Sequence, residues 1–222
     1  MKIDFKTLNK TIPEIPKING SEDFVKTSVL VILIRKKNEW EILFEKRAKN
    51  ISQGGEISFP GGKFDPELDL TVKDTAIRET LEETGIKENN LKVIGELDSV
   101  LAPIGVMITP FLAFCDIEAI PENYNKSEVE YIFSVPVKWF MKNPPLEYAT
   151  VLKAHPYIKD RQNNIIPLLP AKELGLPEKY NAPWGRLKQK VFVYKYGNEI
   201  IWGLTARIVN SFIKSLAQYT EL

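Results

Sequence analysis

Before the middle of the chain the sequence reads Arg78-Glu79-Thr80-Leu81-Glu82-Glu83-Thr84-Gly85-Ile86, three carboxylates followed by a glycine. On a helix, residues three and four apart share one edge, so Glu79 would lie beside both Glu82 and Glu83. Like charges at this spacing repel, and anions in a last turn face the negative end of the helix dipole. A Glu-rich helix end is ordinarily a solvated face, but this chain carries no excess of acid, since its formal net charge is +1. The stretch therefore favours a bound divalent cation, because Mg²⁺ and Mn²⁺ prefer hard oxygen ligands.

The residues before this stretch predict a glycine turn and then a helix. Phe59-Pro60-Gly61-Gly62-Lys63 indicates a turn entered from an apolar strand, where adjacent glycines bring backbone N–H and carbonyl groups close to a ligand. A helical pattern over about 71–84 follows, with Asp69 or Thr71 as its N-cap and Gly85 just after its end. Its apolar positions are Val72, Ala76, Ile77 and Leu81.

The loop and helix together resemble the Nudix hydrolase signature, written G-x5-E-x7-R-E-U-x-E-E-x-G-U with U a bulky aliphatic residue. The second half matches from Arg78 to Ile86, except for Thr80 at the first U position. Gly61 and Glu67 have the separation of the first half, but the gap from Glu67 to Arg78 is longer than in the pattern. The loop of this chain therefore carries extra residues, and the role of the family's first Glu is not assigned to Glu67.

Flanking residues resemble one subgroup of that family, the coenzyme A pyrophosphatases. Their second motif reads roughly L-L-T-x-R-(S/A)-x3-R-x3-G-x3-F-P-G-G. Leu43–Ala48 supplies its start and Gly55–Gly62 its end, with Ser52 near the position of the second arginine. Residues 102–111 and 201–206 also resemble this subgroup, so the resemblance runs from about Lys46 to Ile208.

The resemblance implies a fold and a metal site. The fold class would be α/β, a Nudix-type α/β/α sandwich with a mixed β-sheet between helices. Mg²⁺ or Mn²⁺ would be bound by Glu79 and Glu83, with Glu82 shared or alongside and a backbone carbonyl at Gly62. Arg78 would orient a neighbouring carboxylate.

Other candidate site residues lie outside the helix. The general base is either a signature glutamate or one on a later loop, where Glu128 and Glu130 are the candidates, although both could simply be the polar edge of a strand. Phosphate groups of the substrate could be bound by basic side chains and by glycine N–H groups of the turn. The residues considered for this role are Arg47, Lys46, Lys49 and Gly61.

The remaining pattern predicts a single domain over residues 1–222, with the signature loop and helix at 61–86. Alternation predicts a hairpin of 27–34 with 41–46, strands at 91–100 and 107–115, and a strand at 128–136 running into a short helix. A second hairpin is expected at 191–202 around Gly197-Asn198, before a C-terminal amphipathic helix at about 204–218. A Pro-rich insertion at about 143–190 has little readable periodicity and could form part of the pocket or a homodimer contact.

Composition excludes several other classes of protein. The near-neutral charge gives no whole-chain attraction to nucleic acid or membrane, and the N-terminus lacks the apolar run of a signal peptide, so a cytoplasmic location is expected. Cys115, the single cysteine, is expected in a buried strand, which leaves no disulfide or cysteine zinc site. His155, the single histidine, is expected on a surface loop.

The sequence thus predicts a metal-dependent hydrolase with a small-molecule nucleotide substrate. The resemblance implies cleavage of the diphosphate bond of coenzyme A or its derivatives to adenosine 3′,5′-bisphosphate and 4′-phosphopantetheine. Two alternatives stay open. One is a Nudix pyrophosphatase acting on ADP-ribose, another nucleoside diphosphate derivative or a nucleoside triphosphate. The other is a non-catalytic Nudix-fold module that binds a nucleotide or RNA.

Overall fold

The fold begins with a long antiparallel hairpin that forms the centre of the main sheet. A computed structural model describes residues 18–117 and 119–219. The hairpin consists of β1 (Val25–Lys36) and β2 (Glu39–Arg47), with Leu33 opposite Ile42. Its two-residue turn, Lys37-Asn38, has positive φ at both positions, which matches the twist of the flanking strands. The predicted hairpin is confirmed, and both strands are longer than predicted.

Six further strands complete this main sheet. β1 pairs in parallel with β7 and antiparallel with β2 and β4, so the sheet is mixed, and the longest path of paired strands runs β3-β2-β1-β7-β5. The added strands are β3 (Ile57–Ser58), β4 (Gly61–Lys63), β5 (Leu91–Glu96), β6 (Val100–Ala102), β7 (Val106–Cys115) and β8 (Val129–Pro136).

Two long helices cover opposite faces of this sheet. Alternate residues of β1 belong to two different hydrophobic clusters, Leu30 and Ile32 on one side and Val31 on the other, as the two-residue period of a strand requires. The first cluster contains α1 (Val72–Thr84) and the second contains α3 (Gly203–Ala217), with the short α2 (Val137–Lys142) beside α3. The predicted α/β sandwich with a mixed sheet between helices is confirmed.

A second, three-stranded sheet includes part of the segment in which we found little periodicity. It consists of β9 (Leu146–Ala154), β12 (Trp184–Tyr196) and β13 (Glu199–Trp202), in the order β13-β12-β9. A small hairpin of β10 (Tyr157–Lys159) and β11 (Ile165–Pro167) lies between β9 and β12 in the chain. β9 is exposed along nearly its whole length, so neither alternation nor an apolar run marks it in the sequence.

Two local predictions differ from the structure, and one open alternative is resolved. The strand predicted at 91–100 is interrupted after Glu96, and Val100–Ala102 pairs separately with β7. Gly61 and Gly62 do not form a free turn, because both pair with β1 as part of β4. Of the two predicted N-cap candidates, Asp69 and Thr71, the N-cap of α1 is Thr71.

The single cysteine and the single histidine lie where the sequence predicts. Cys115 is buried in β7 and His155 is exposed outside any strand, as predicted. Within 18–117 and 119–219, no helix combines the length and the apolar character needed to cross a bilayer.

Candidate active site

The helix that carries the carboxylates is fixed at both ends by its own sequence. Thr71 accepts a hydrogen bond from the Asp74 N–H, and the Asp74 side chain accepts one from the Thr71 N–H, which is a complete capping box. At the other end Gly85 adopts a left-handed conformation and its N–H bonds Leu81 O at 3.1 Å. These caps fix the register of α1 and hence the edge on which its glutamates lie.

Arg78 is the centre of an acidic group. Its Nε and Nη2 donate to the two carboxylate oxygens of Asp69, both at 2.9 Å, in a bidentate pair. Its Nη1 donates to Glu79 at 2.9 Å and to Glu82 at 3.3 Å. Asp69 also accepts hydrogen bonds from the Thr75 hydroxyl and the Asp65 N–H, and so ties the extra loop residues to the helix. Asp69 is therefore not the N-cap but the residue that orients Arg78.

The two glycines let the backbone of β4 pass directly against this helix edge. The Gly61 N–H donates to Glu83 Oε2 at 2.9 Å. A methyl group at Gly62 would overlap the Glu79 carboxylate, and one at Gly61 would overlap the backbone of Ser28 and Val29. Only glycine leaves room for this contact, so the loop and the helix must be read as one site.

A further carboxylate, Glu45 on β2, belongs to the same site and was not predicted from the sequence. It is fully buried, accepts a hydrogen bond from Ser58 Oγ at 3.0 Å, and lies 3.8 Å from Arg47 Nη1. Its second oxygen, Oε2, has no hydrogen-bond partner in the part of the chain that the structure describes. The signal in the sequence is a charged residue directly after the apolar run Ile42-Leu43-Phe44. It lies two positions after Leu43, and therefore on the same face of the strand as this buried residue.

The acids of this site have pKa values shifted in opposite directions, upward by burial and mutual repulsion and downward by hydrogen bonds from Arg78. Burial, followed by the charge of Glu45, raises the pKa of Glu83, and burial likewise raises the pKa of Glu45 and of Glu79. By contrast, the hydrogen bonds from Arg78 lower the pKa of Asp69 to about 2. Asp69 is thus a fixed anion that holds the arginine, whereas Glu83 and Glu45 lie where a further positive charge would be favourable.

The other predicted site residues are distributed around this centre. Arg47 lies on the Glu45 side of β2 and its Nε donates to Ser52 O at 3.1 Å, which holds the loop before β3. Glu128 is exposed just before β8, and its charge acts on Glu45 and Glu79. Glu82 is 57% exposed in its side chain and is held by Arg78.

Lys46 is not brought to the carboxylates. Its Nζ bonds Tyr131 Oη at 3.1 Å and Glu199 Oε2 at 3.3 Å, because successive residues of a strand point to opposite faces. Glu67 is exposed in the loop, Lys49 is exposed, and Glu130 lies exposed in β8.

The oxygen-rich surroundings suit a hard divalent cation. As the side chains stand, no group of three or more acidic, histidine or cysteine residues within 18–117 and 119–219 is arranged so that it could hold a metal ion. Arg78 holds two of the glutamates instead. The free oxygen of Glu45, the buried carboxylate of Glu83 and the tight approach of Gly62 to Glu79 nevertheless fit a cation bound among them.

The sequence of this chain is similar to those of known proteins. The NUDIX domain family matches residues 25–154. Nudix hydrolase 3 of Caenorhabditis elegans is 27% identical over 193 residues, covering 85% of this chain and 72% of that protein. A Mus musculus protein named peroxisomal coenzyme A diphosphatase NUDT7 is 33% identical over 126 residues, 55% of this chain and 51% of that protein. A crystal structure of a MutT/nudix family protein from Enterococcus faecalis covers 96% of this chain and 68% of its own, at 15% identity and a TM-score of 0.47. Because the family match spans more than half of the chain, this protein belongs to the NUDIX domain family and is a Nudix hydrolase.

Proposed function

We propose that this Nudix hydrolase cleaves the diphosphate bond of coenzyme A or its derivatives, releasing adenosine 3′,5′-bisphosphate and 4′-phosphopantetheine or its acyl form. The observation that carries the proposal is the motif of residues 43–62, which forms one wall of the carboxylate site through Glu45, Arg47 and Gly61. The matched half of the mouse protein, whose name gives coenzyme A as substrate, supports the same substrate class.

The metal ligands that we propose are Glu79 and Glu83, with Glu82 alongside and the Gly62 carbonyl. When bound, Mg²⁺ or Mn²⁺ would neutralise the anionic diphosphate and lower the pKa of the attacking water. Glu83 is held by the Gly61 N–H, and Glu79 is held by Arg78. Their positions are therefore set before substrate arrives.

Charged groups at the rim have separate proposed roles. Arg47 would donate hydrogen bonds to a substrate phosphate, since its guanidinium is partly exposed at the edge of the site. Glu128, exposed and within electrostatic reach of Glu79, is the proposed general base. Lys46 is engaged by Glu199 and Tyr131 and would have to leave them to contact substrate.

The test is product analysis by chromatography with purified protein, Mg²⁺ or Mn²⁺, and a panel of coenzyme A, ADP-ribose, NADH and nucleoside triphosphates. Release of adenosine 3′,5′-bisphosphate from coenzyme A in preference to turnover of the others is the expected result. Preferential cleavage of ADP-ribose or a triphosphate would keep the chemistry and reject the substrate. Nucleotide binding with no metal-dependent turnover would indicate the non-catalytic alternative.

A further inference from the structure

The acid on β2 that no sequence motif assigns has an unused oxygen. Glu45 is fully buried, and its Oε1 is occupied by Ser58 and faced by Arg47, whereas its Oε2 has no partner in the part of the chain that the structure describes. The coenzyme A pyrophosphatase motif quoted above has threonine at this position. Burying a carboxylate oxygen without a partner costs folding free energy. A ligand that binds this oxygen would offset that cost.

The neighbours of this oxygen show what kind of ligand would bind. Glu83 is also buried, and Glu79 and Glu128 add negative charge around Glu45, against the guanidinium of Arg47. A group that satisfies this oxygen must therefore carry positive charge and accept oxygen ligands, which describes a divalent cation.

We propose that Glu45 is an additional carboxylate ligand of the divalent-cation site, acting through Oε2 next to Glu83. This inference rests on the proposed function, because it assigns the free oxygen to the same cation site. It extends that site from the helix to the central strand, so the cation would join α1 to β2.

The test is direct measurement of Mn²⁺ binding without substrate, by calorimetry or by the electron paramagnetic resonance signal of free Mn²⁺. Glu45→Gln should weaken Mn²⁺ binding by about tenfold or more. Glu41→Gln is the matched control, because Glu41 on the same strand also accepts a serine hydroxyl and lies near a cation, Lys36, away from the site. It should bind Mn²⁺ as the unsubstituted protein does.

The outcomes separate this inference from the proposed function. Unchanged Mn²⁺ affinity in Glu45→Gln, together with lost affinity in Glu83→Gln, would overturn the role of Glu45 and leave the proposed function standing. Weakened Mn²⁺ binding in a protein that cleaves no substrate of the panel would support the ligand and reject the function. If Glu45→Gln did not fold, Glu45→Asp would take its place, with its shorter side chain expected to weaken binding likewise.

A second inference comes from the edge of the smaller sheet. β9 is the last strand in the order β13-β12-β9, and its outer edge makes no backbone hydrogen bond in the part of the chain that the structure describes. The strand contains no proline, and its exposed residues include Leu146, Tyr148 and Val151. An exposed edge of this kind presents unpaired backbone N–H and C=O groups that can pair with another strand.

The sequence of β9 is complementary to itself when reversed. In an antiparallel pairing centred on Thr150, Glu147 of one copy faces Lys153 of the second copy, and Tyr148 faces Leu152. Opposite charges and apolar pairs at directly opposed positions stabilise antiparallel strands. Lys153 has no ion pair among the described residues, whereas Glu147 bonds Lys190 at 2.9 Å.

We infer that β9 pairs with β9 of a second copy of this chain about a two-fold axis at Thr150. Such a contact is self-complementary and closes at two subunits, which avoids open-ended assembly. It would join the two small sheets into one continuous sheet.

Sedimentation equilibrium of the full chain tests this pairing. The unsubstituted protein should be a dimer, and Lys153→Glu should be monomeric because two glutamates would then face each other. Glu147→Lys combined with Lys153→Glu should restore the dimer by exchanging the charges. Lys159→Glu, which makes the same charge change on β10, is the control and should remain dimeric. A monomeric unsubstituted protein would overturn the inference.

Discussion

The two long helices lie on opposite faces of one sheet and bury opposite kinds of residue. α3 buries Val209, Phe212 and Ile213 among its apolar side chains, in the manner of an amphipathic helix. α1 buries Thr75, Thr80 and Glu83 instead, with Ala76 as its one fully buried apolar residue. The same sheet is thus covered by a helix with mainly apolar buried residues on one face and by a helix with mainly polar buried residues on the other.

This difference teaches how a marginally packed helix can be held in place. α1 is fixed by its capping box, by the Asp69–Arg78 pair and by the Gly61 contact with Glu83. These are polar, directional interactions, so α1 has a defined position with less apolar burial, to which Val72 and Ala76 contribute, than α3 has. The comparison predicts that substitutions of the α1 carboxylates affect chiefly activity, and substitutions of the buried apolar residues of α3 chiefly stability.

The largest effect is expected for Glu83→Gln, which keeps the side-chain size and replaces an ionisable carboxylate with an amide that cannot ionise. We expect turnover to fall by about a thousandfold or more, the size of effect that removal of a single electrostatic group at an active site produces. The metal-free protein should be no less stable, because repulsion by Glu45 and Glu79 is relieved. Steady-state kinetics and thermal unfolding measure both.

The control for this substitution is Glu178→Gln, an exposed glutamate far along the chain from the signature. It should change neither quantity. Turnover in Glu83→Gln equal to that of the control would refute the metal-site assignment.

The opposite pattern is expected for Phe212→Ala on α3. Removing a buried phenylalanine costs about 3 kcal/mol of unfolding free energy, because a cavity is left in the core. The value of kcat should stay within about twofold at a temperature where the variant is folded, since no catalytic group moves. Denaturant unfolding measures the loss of stability, and kinetics at low temperature measure kcat. A large loss of kcat in the folded variant would show that packing on the α3 face of the sheet affects the site on the α1 face.

Gly62→Ala should sharpen the comparison by adding one methyl group to the polar face. The methyl overlaps the Glu79 carboxylate, which must shift. We expect kcat to fall by about tenfold to a hundredfold, since small misplacements in an active site have effects of that size. Gly95→Ala on β5 is the control, because a methyl group there meets nothing. Equal activity of the two variants would show that the position of Glu79 is unimportant.

The pH dependence of stability should also come from the polar face. Burial, followed by the charge of Glu45, raises the pKa of Glu83 to about 9 in the folded protein, above the ordinary value of 4.5. The stabilisation tied to its proton is therefore complete below about pH 4.5 and is lost as the pH rises toward 9. We expect metal-free protein to lose at least about 1 kcal/mol over this range, and Glu83→Gln to lose less. The unfolding free energy of both proteins is measured at several pH values in the presence of a chelator. The same pH dependence in both would contradict the raised pKa of Glu83.

Mn²⁺ or Mg²⁺ provides the complementary measurement on the same samples. Binding a cation displaces the proton, so the stabilisation by added metal should increase with pH over the same range. A metal effect that is independent of pH would place the cation away from Glu83.

The sequence was informative where local rules decide the structure. The helix from Val72 to Thr84 and the turn at Lys37-Asn38 follow from caps, glycines and turn residues that are close in sequence. The mixed sheet and its two covering helices follow from the family resemblance. These features account for most of the fold and for the acids on the helix.

The remaining features depend on contacts between distant residues. Glu45 and Asp69 are brought to the helix by strand pairing and by a loop longer than the family pattern, neither of which a local rule describes. The pairing of Lys46 with Glu199, 153 positions away, could not be read from the sequence. β9 was not predicted because an exposed edge strand has no buried face, and so its sequence need not alternate apolar and polar residues.

The smallest predicted effect concerns Thr80, a polar residue on α1 that has no role in the site. Its hydroxyl oxygen is buried without a hydrogen-bond partner in the described part of the chain, and the signature has a bulky aliphatic residue at this position. Thr80→Val keeps the volume and removes the unsatisfied hydroxyl, so it should stabilise the protein by about 1 kcal/mol. Turnover should not change, because the neighbouring Glu79 keeps its bond to Arg78. Thr84→Val is the matched contrast and should destabilise, since the Thr84 hydroxyl bonds Thr80 O at 2.6 Å and accepts from the Ile86 N–H. If both substitutions destabilised equally, the hydroxyl of Thr80 would have to be satisfied by water, and the polar packing of α1 would be complete rather than open to improvement.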